Sequence, residues 1–115
     1  MCGLAGFYNY RGSSRLLPSK CELDLMTTSL VHRGPDDSGL LYEPNIGIGL
    51  GHRRLSIRDL SPLGAQPMRS NCGRFWIAYN GEIYSDKELR SELLTFGRKP
   101  KGTSDTALLV EAFGE

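Results

Sequence analysis

The sequence predicts an α+β fold with largely antiparallel strand pairing. Three observations point there: short β-rich runs separated by turn residues, a few stretches with helical spacing, and no strict strand–helix–strand alternation. With 14 glycines and 39% hydrophobic residues in 115, the composition suits a turn-rich strand protein better than a helical bundle. A chain of this length makes one domain and can bury an adequate core.

Gly3 to Tyr10 is short, apolar and aromatic, and reads as a buried strand. Arg11 to Lys20 carries the Gly, Ser and Pro of a surface loop. From Cys21 to Val31, Leu23, Met26 and Leu30 follow helical spacing behind Ser19, a candidate N-cap. His32 to Gly39 is a dense cluster of turn residues. Leu40 to Tyr42 and Ile46 to Arg54 read as strands joined at Pro44-Asn45.

Leu55 to Gly73 holds Pro62, Gly64, Pro67 and an Asn71-Cys72-Gly73 turn, so it reads mostly as loop. Phe75 to Tyr79 alternates like a strand, and Asn80-Gly81 signals a type I′ hairpin with Ile83-Tyr84 returning. Ser85 to Glu88 matches a capping box ahead of Leu89, Leu93 and Phe96. Ser104 to Ala107 opens a last helix with Leu108, Leu109, Ala112 and Phe113 on one side.

The formal net charge of +1 implies no polyanionic partner, which argues against nucleic acid. Three cysteines, Cys2, Cys21 and Cys72, are odd in number and lack C-x-x-C spacing. That argues against a disulfide framework or a zinc knuckle and fits a reducing cytoplasm. Scattered cysteines and histidines give no ligand spacing, so no metal site is expected. No apolar run approaches a membrane span, and no signal peptide is evident.

The chemical interest starts at Cys2. Removal of Met1 would put a thiol and a free α-amine on one residue, a nucleophile with its own base. Reference values of roughly 8.5 for the thiol and 7.7–8.0 for the amine make proton transfer between them cheap. Gly47-Ile48-Gly49-Leu50-Gly51 could pass for a phosphate cradle, but it runs into more strand instead of a helix, so close backbone approach is the better reading. Period-2 alternation puts His52, Arg54 and Ser56 on one strand face and Arg53, Leu55 and Ile57 on the other. Arg54 at a strand end can fork onto a carboxylate or make an ordinary surface ion pair. Beside Cys2, His32 or His52 would suit a thiol hydrolase, although a satisfied structural histidine is the commoner outcome. Asn80 and Gly81 can be a plain turn or two neutral donors to an oxyanion. Asp105 can be a first-turn acid or a carboxylate for a ligand ammonium.

Taken together, five runs resemble the glutamine-hydrolysing domain of asparagine synthetases, within the N-terminal-nucleophile (type-2) glutamine amidotransferases. They are Cys2 to Phe7; His32 to Gly39; Gly51 to Leu60 with Gln66-Pro67-Met68; Tyr79 to Tyr84 with Glu88-Leu89-Arg90; and Ser104-Asp105-Thr106. The resemblance covers nearly the whole chain in the family's order. It implies a four-layer αββα sandwich, incomplete here, with residues 1–115 as the N-terminal part of the domain and the synthetase domain absent. It implies that Cys2 attacks the side-chain amide of L-glutamine, with Asn80 and Gly81 binding the oxyanion. Arg54 would hold the α-carboxylate, and Glu82 and Asp105 the α-ammonium. Leu55, Ser56 and Ile57 would complete the substrate contacts.

Glutamine hydrolysis would need no cofactor. ATP and Mg2+ would belong to the missing synthetase domain, which, with a homodimer mate, is the implied partner. The chain departs from the family at Ser85, a mild swap between capping residues, and at Pro100, Gly102 and Ala107; Ala107 removes the capping-box partner of Ser104 and so weakens the segment that aims Asp105. Unpaired sheet edges would leave the chain marginal alone. A non-catalytic remnant of the same family and a small anion-binding module using Arg53/Arg54 and Arg98 to Lys101 are the alternatives.

Overall fold

A computed structural model describes residues 2–9, 17–57 and 60–113. Met1 with its proposed removal, Tyr10, most of the 11–20 loop, residues 58–59 of the Gly51 to Leu60 run and the last two residues lie outside them.

The elements run β1 (Gly3–Tyr8), α1 (Lys20–Thr28), β2 (Asp37–Glu43), β3 (Ile48–Arg54), a 3-10 turn (Pro62–Gly64), β4 (Met68–Arg69), β5 (Trp76–Ile77), α2 (Asp86–Thr95) and α3 (Asp105–Phe113). β1, β3 and β2 form one antiparallel sheet with β3 central, and β4 pairs antiparallel with β5 in a second. The α+β class and the antiparallel pairing agree with the sequence.

The central strand explains its glycines. A Cβ on Gly49 would strike the Phe7 ring, and one on Gly51 would strike Thr27 of α1. Side-chain absence on that face lets α1 lie close, with Leu23 and Thr27 fully buried beneath it. Ser19 caps α1, its Oγ accepting the Glu22 N–H at 3.1 Å, an arrangement worth about 1 kcal/mol. The opposite face of β3 carries His52 and Arg54 toward Gln66 and Tyr79 in the second half of the chain. Leu93, Ala107, Leu108 and Val110 form the core there, where α2 packs on α3 and α3 on β4 and β5.

Several expectations need correction. β1 is an edge strand, not a buried one, and leaves Leu4 and Tyr8 exposed. No type I′ turn forms at Asn80-Gly81: among the described residues only four glycines, 47, 73, 97 and 102, have positive φ. Ile83 does not return as a strand because its N–H donates to Asp105 Oδ2 at 2.9 Å instead of joining a ladder. The hairpin turn is instead the one expected at Asn71-Cys72-Gly73, which joins β4 to β5 with Gly73 at φ 77°.

The Ser85 capping box also fails. Ser85 sits at φ −106°, ψ 38° and makes no side-chain cap bond. Ser104, by contrast, caps α3 through Oγ to the Ala107 N–H at 3.1 Å. The buried face of α3 is Ala107, Leu108, Val110 and Glu111, with Phe113 exposed, because the helix rides on β4 and β5. Phe96 likewise projects from the end of α2 into solvent.

Candidate active site

A cavity of about 520 Å³ opens where the end of β3, the segment after β5 and the start of α3 converge. Cys2, Arg54, Leu55, Ile57, Asn80, Gly81, Glu82 and Asp105 all line it. Ser56 is the one predicted residue off its wall; its N–H donates to Asp36 Oδ2 at 2.8 Å.

Cys2 sits one step beyond the Gly3–Arg53 pair of the β1–β3 ladder, which sets it beside the end of the Arg54 strand. Its half-buried Sγ accepts the Leu55 N–H at 3.3 Å. Its carbonyl accepts from Arg33 Nε at 3.1 Å. The rest of the His32 to Gly39 run splints the same strand end. Arg53 Nε donates to the Gly34 carbonyl at 2.8 Å, and the Asp36 N–H donates to the Arg54 carbonyl at 3.0 Å. Gly34 lies flat on the Arg53–Arg54 peptide, with no room for a Cβ. A turn-rich stretch with no evident chemistry of its own thus fixes the chain end that carries the thiol.

Arg54 is buried, and its Nη1 donates to the Ser61 carbonyl at 2.7 Å. Gly64 leaves the space that its guanidinium occupies. Asp105 is buried at the first turn of α3 with Oδ2 on the Ile83 N–H, which ties the segment carrying Glu82 to the helix. The negative field there is felt by Tyr79. Burial, then the Asp105 and Glu82 carboxylates, then Tyr84 push its hydroxyl above the ordinary phenol range. One cavity therefore offers a guanidinium and two carboxylates, complementary to a zwitterion.

Sequence reasoning gave no role to Gly64, Gln66, Tyr79 or Thr106, which share the lining. Gln66 is buried, accepts the Tyr79 N–H at 2.6 Å and donates to Thr106 Oγ1 at 2.8 Å. The Gln66-Pro67-Met68 run flagged the residue, but partners 13 and 40 positions away leave no local signal. His52 is a structural histidine. Its Nε2 donates to the Tyr79 carbonyl at 3.2 Å, and burial lowers its pKa. Among the described residues no group of three or more His, Cys, Asp or Glu side chains could hold a metal ion, and no helix is long and apolar enough to cross a membrane.

The glutamine amidotransferase domain family matches residues 1–115, and the chain is a member of it. It is 36% identical to asparagine synthetase [glutamine-hydrolyzing] 1 of Bacillus subtilis, over 98% of this chain and 17% of that protein. It is 38% identical to asparagine synthetase B [glutamine-hydrolyzing] of Escherichia coli, over 80% of this chain and 16% of that one. Amidase chry2 of Gibberella zeae is 36% identical over 98% of this chain and 18% of its own length. The chain spans less than a fifth of the length of these relatives.

Proposed function

We propose that the cavity hydrolyses L-glutamine to glutamate and ammonia through a thioester on Cys2. The observation that carries this reading is the convergence of Cys2, Arg54, Asn80, Gly81, Glu82 and Asp105, drawn from separate stretches of sequence, on one cavity. With Met1 removed, the Cys2 α-amine takes the thiol proton and the sulfur attacks the δ-carbonyl carbon of glutamine. Arg54 forks onto the α-carboxylate, while Asp105 and Glu82 face the α-ammonium. Asn80 and the Gly81 N–H receive the oxyanion, where each donor typically supplies about 100–1,000-fold in rate. The C–N bond breaks as the amine returns its proton to the departing ammonia, and water then cleaves the thioester.

In this reading α1 and α3 are the outer layers, and the two sheets the inner layers, of an αββα sandwich of which residues 1–115 are one part. The ammonia is destined for ATP-dependent amidation of aspartate, with ATP and Mg2+ handled by a synthetase domain outside this chain.

Labelling with a thiol-directed glutamine analogue tests the reading. Covalent capture at Cys2, blocked by excess glutamine and absent in Cys2→Ala, supports it. Cys72 is the competing thiol, because the Ser70 hydroxyl, 3.3 Å away, then Arg74 lower its pKa, so Cys72→Ser serves as background. Capture at Cys2 without glutamate release would identify a non-catalytic member of the family. Equal capture at all three cysteines would overturn the assignment.

A further inference from the structure

We propose that His52 and Gln66 are positioning residues that set the oxyanion-binding segment by holding the Tyr79 backbone at both its N–H and its carbonyl. The inference rests on the glutaminase reading and concerns how that site is built.

Tyr79 directly precedes Asn80 and Gly81. Its N–H donates to Gln66 Oε1 at 2.6 Å, and its carbonyl accepts from His52 Nε2 at 3.2 Å. In a β-ladder, backbone on a neighbouring strand would supply both partners. Here two buried side chains from two distant segments do so. Gln66 Nε2 continues to Thr106 Oγ1 at 2.8 Å, beside Asp105. Three hydrogen bonds thus join the strand of Arg54, the segment of Asn80 and the helix of Asp105.

The protonation of the imidazole follows from its partner. A carbonyl only accepts, so Nε2 carries the proton. Nδ1 has no partner among the described residues and is the bare nitrogen. A second proton there would create a buried cation without an acceptor, alongside Arg54 on the same strand face. His52 is therefore a fixed neutral donor and not a proton carrier. Oxyanion donors act through where they stand, so a small displacement of Asn80 and Gly81 forfeits most of their benefit while leaving the α-carboxylate and α-ammonium contacts in place.

Two readouts test this. The first is steady-state glutamate release, with competent sites counted by the thiol-directed glutamine analogue. His52→Leu and Gln66→Met are expected to lower kcat per competent site roughly 10–100-fold, with KM for glutamine within about 3-fold. His52→Gln, which returns an N–H at similar reach, brings kcat back to within about 3-fold of the original. Fewer competent sites at unchanged kcat per site, or a rise in KM alone, overturns the proposal.

The second readout needs no turnover. Amide exchange at Tyr79, Asn80 and Gly81 quickens roughly 10-fold in Gln66→Met while Leu50 and Gly51 of the central strand stay protected. Imidazole nitrogen shifts of the unaltered chain are expected to report a neutral ring protonated at Nε2, and a doubly protonated ring at neutral pH would overturn the neutral-donor role. If glutamine is not hydrolysed yet exchange responds in this way, the glutaminase reading fails and the holding of Tyr79 stands. Hydrolysis with exchange unchanged overturns the positioning role alone.

Discussion

The Leu55 N–H donates to the Cys2 sulfur at 3.3 Å, one residue past the arginine that borders the same cavity. Cys2 and Arg54 are therefore positioned by one strand end, and the distance between them is set by the backbone of β3. The site is thus most sensitive to changes that shift this strand end or the groups facing it.

Gly64→Ala is such a change. An added Cβ would run into the Arg54 guanidinium, the far end of a flexible side chain, so the guanidinium moves before the backbone does. The fold should survive, with an unfolding midpoint close to that of the original chain. If Arg54 binds the α-carboxylate as proposed, KM for glutamine should rise roughly 10–100-fold, with kcat much less affected. Steady-state kinetics beside a thermal melt checks this; an unchanged KM would separate Arg54 from substrate binding.

Asp105→Asn separates charge from scaffolding at the other charged wall. An amide oxygen can still accept the Ile83 N–H, now bonded at 2.9 Å, so the segment carrying Glu82 remains tied to α3. Losing the carboxylate charge should weaken glutamine binding by roughly 10–100-fold, about 1.4–2.7 kcal/mol. Asp105→Ala should lose as much affinity and also destabilise the chain by about 1–3 kcal/mol through the abandoned N–H. Titration calorimetry and denaturant melts on the two variants distinguish the roles.

Gly51→Ala tests whether the glycine run of β3 is a packing device. The methyl would meet Thr27 of α1 across a fully buried contact with no outlet. Overpacking of this kind costs about 1–3 kcal/mol, to be measured by urea denaturation. An unchanged urea midpoint would mean that the approach of α1 to β3 does not depend on a missing side chain at this position.

The parts of this fold that can be read in the sequence are those with local causes. Ser19 caps α1, Pro44-Asn45 turns β2 into β3, and Ser104 opens α3, each within a few residues of its signal. Glycines alternating along β3 announced close packing, although not that Thr27 and Phe7 were what approached. Asn80-Gly81 misled because a hairpin needs its returning strand to pair, and Asp105, 22 residues beyond Ile83, takes the N–H that would have done so. For the site, the resemblance supplied residues that the cavity gathers, but the His52, Gln66 and Thr106 connections are tertiary and leave no spacing to read.

Burial gives the last prediction its sign. Desolvation lowers the His52 pKa, the Tyr79 carbonyl opposes that shift, nearby Arg54 adds to it and Asp37 opposes it. In the unfolded chain the same imidazole titrates near its ordinary value of roughly 6.5. Above that value both states are neutral at this residue, and its contribution to stability is fully present. Between the unfolded value and the lower folded one, only the unfolded state takes up the proton, so stability falls as pH falls. Urea midpoints should therefore decline as pH is lowered from about 7.5 toward 5, before most carboxylates titrate. His52→Leu should be less stable at neutral pH but show a shallower decline across that interval. Parallel declines in the two proteins would mean that His52 is not the group responsible.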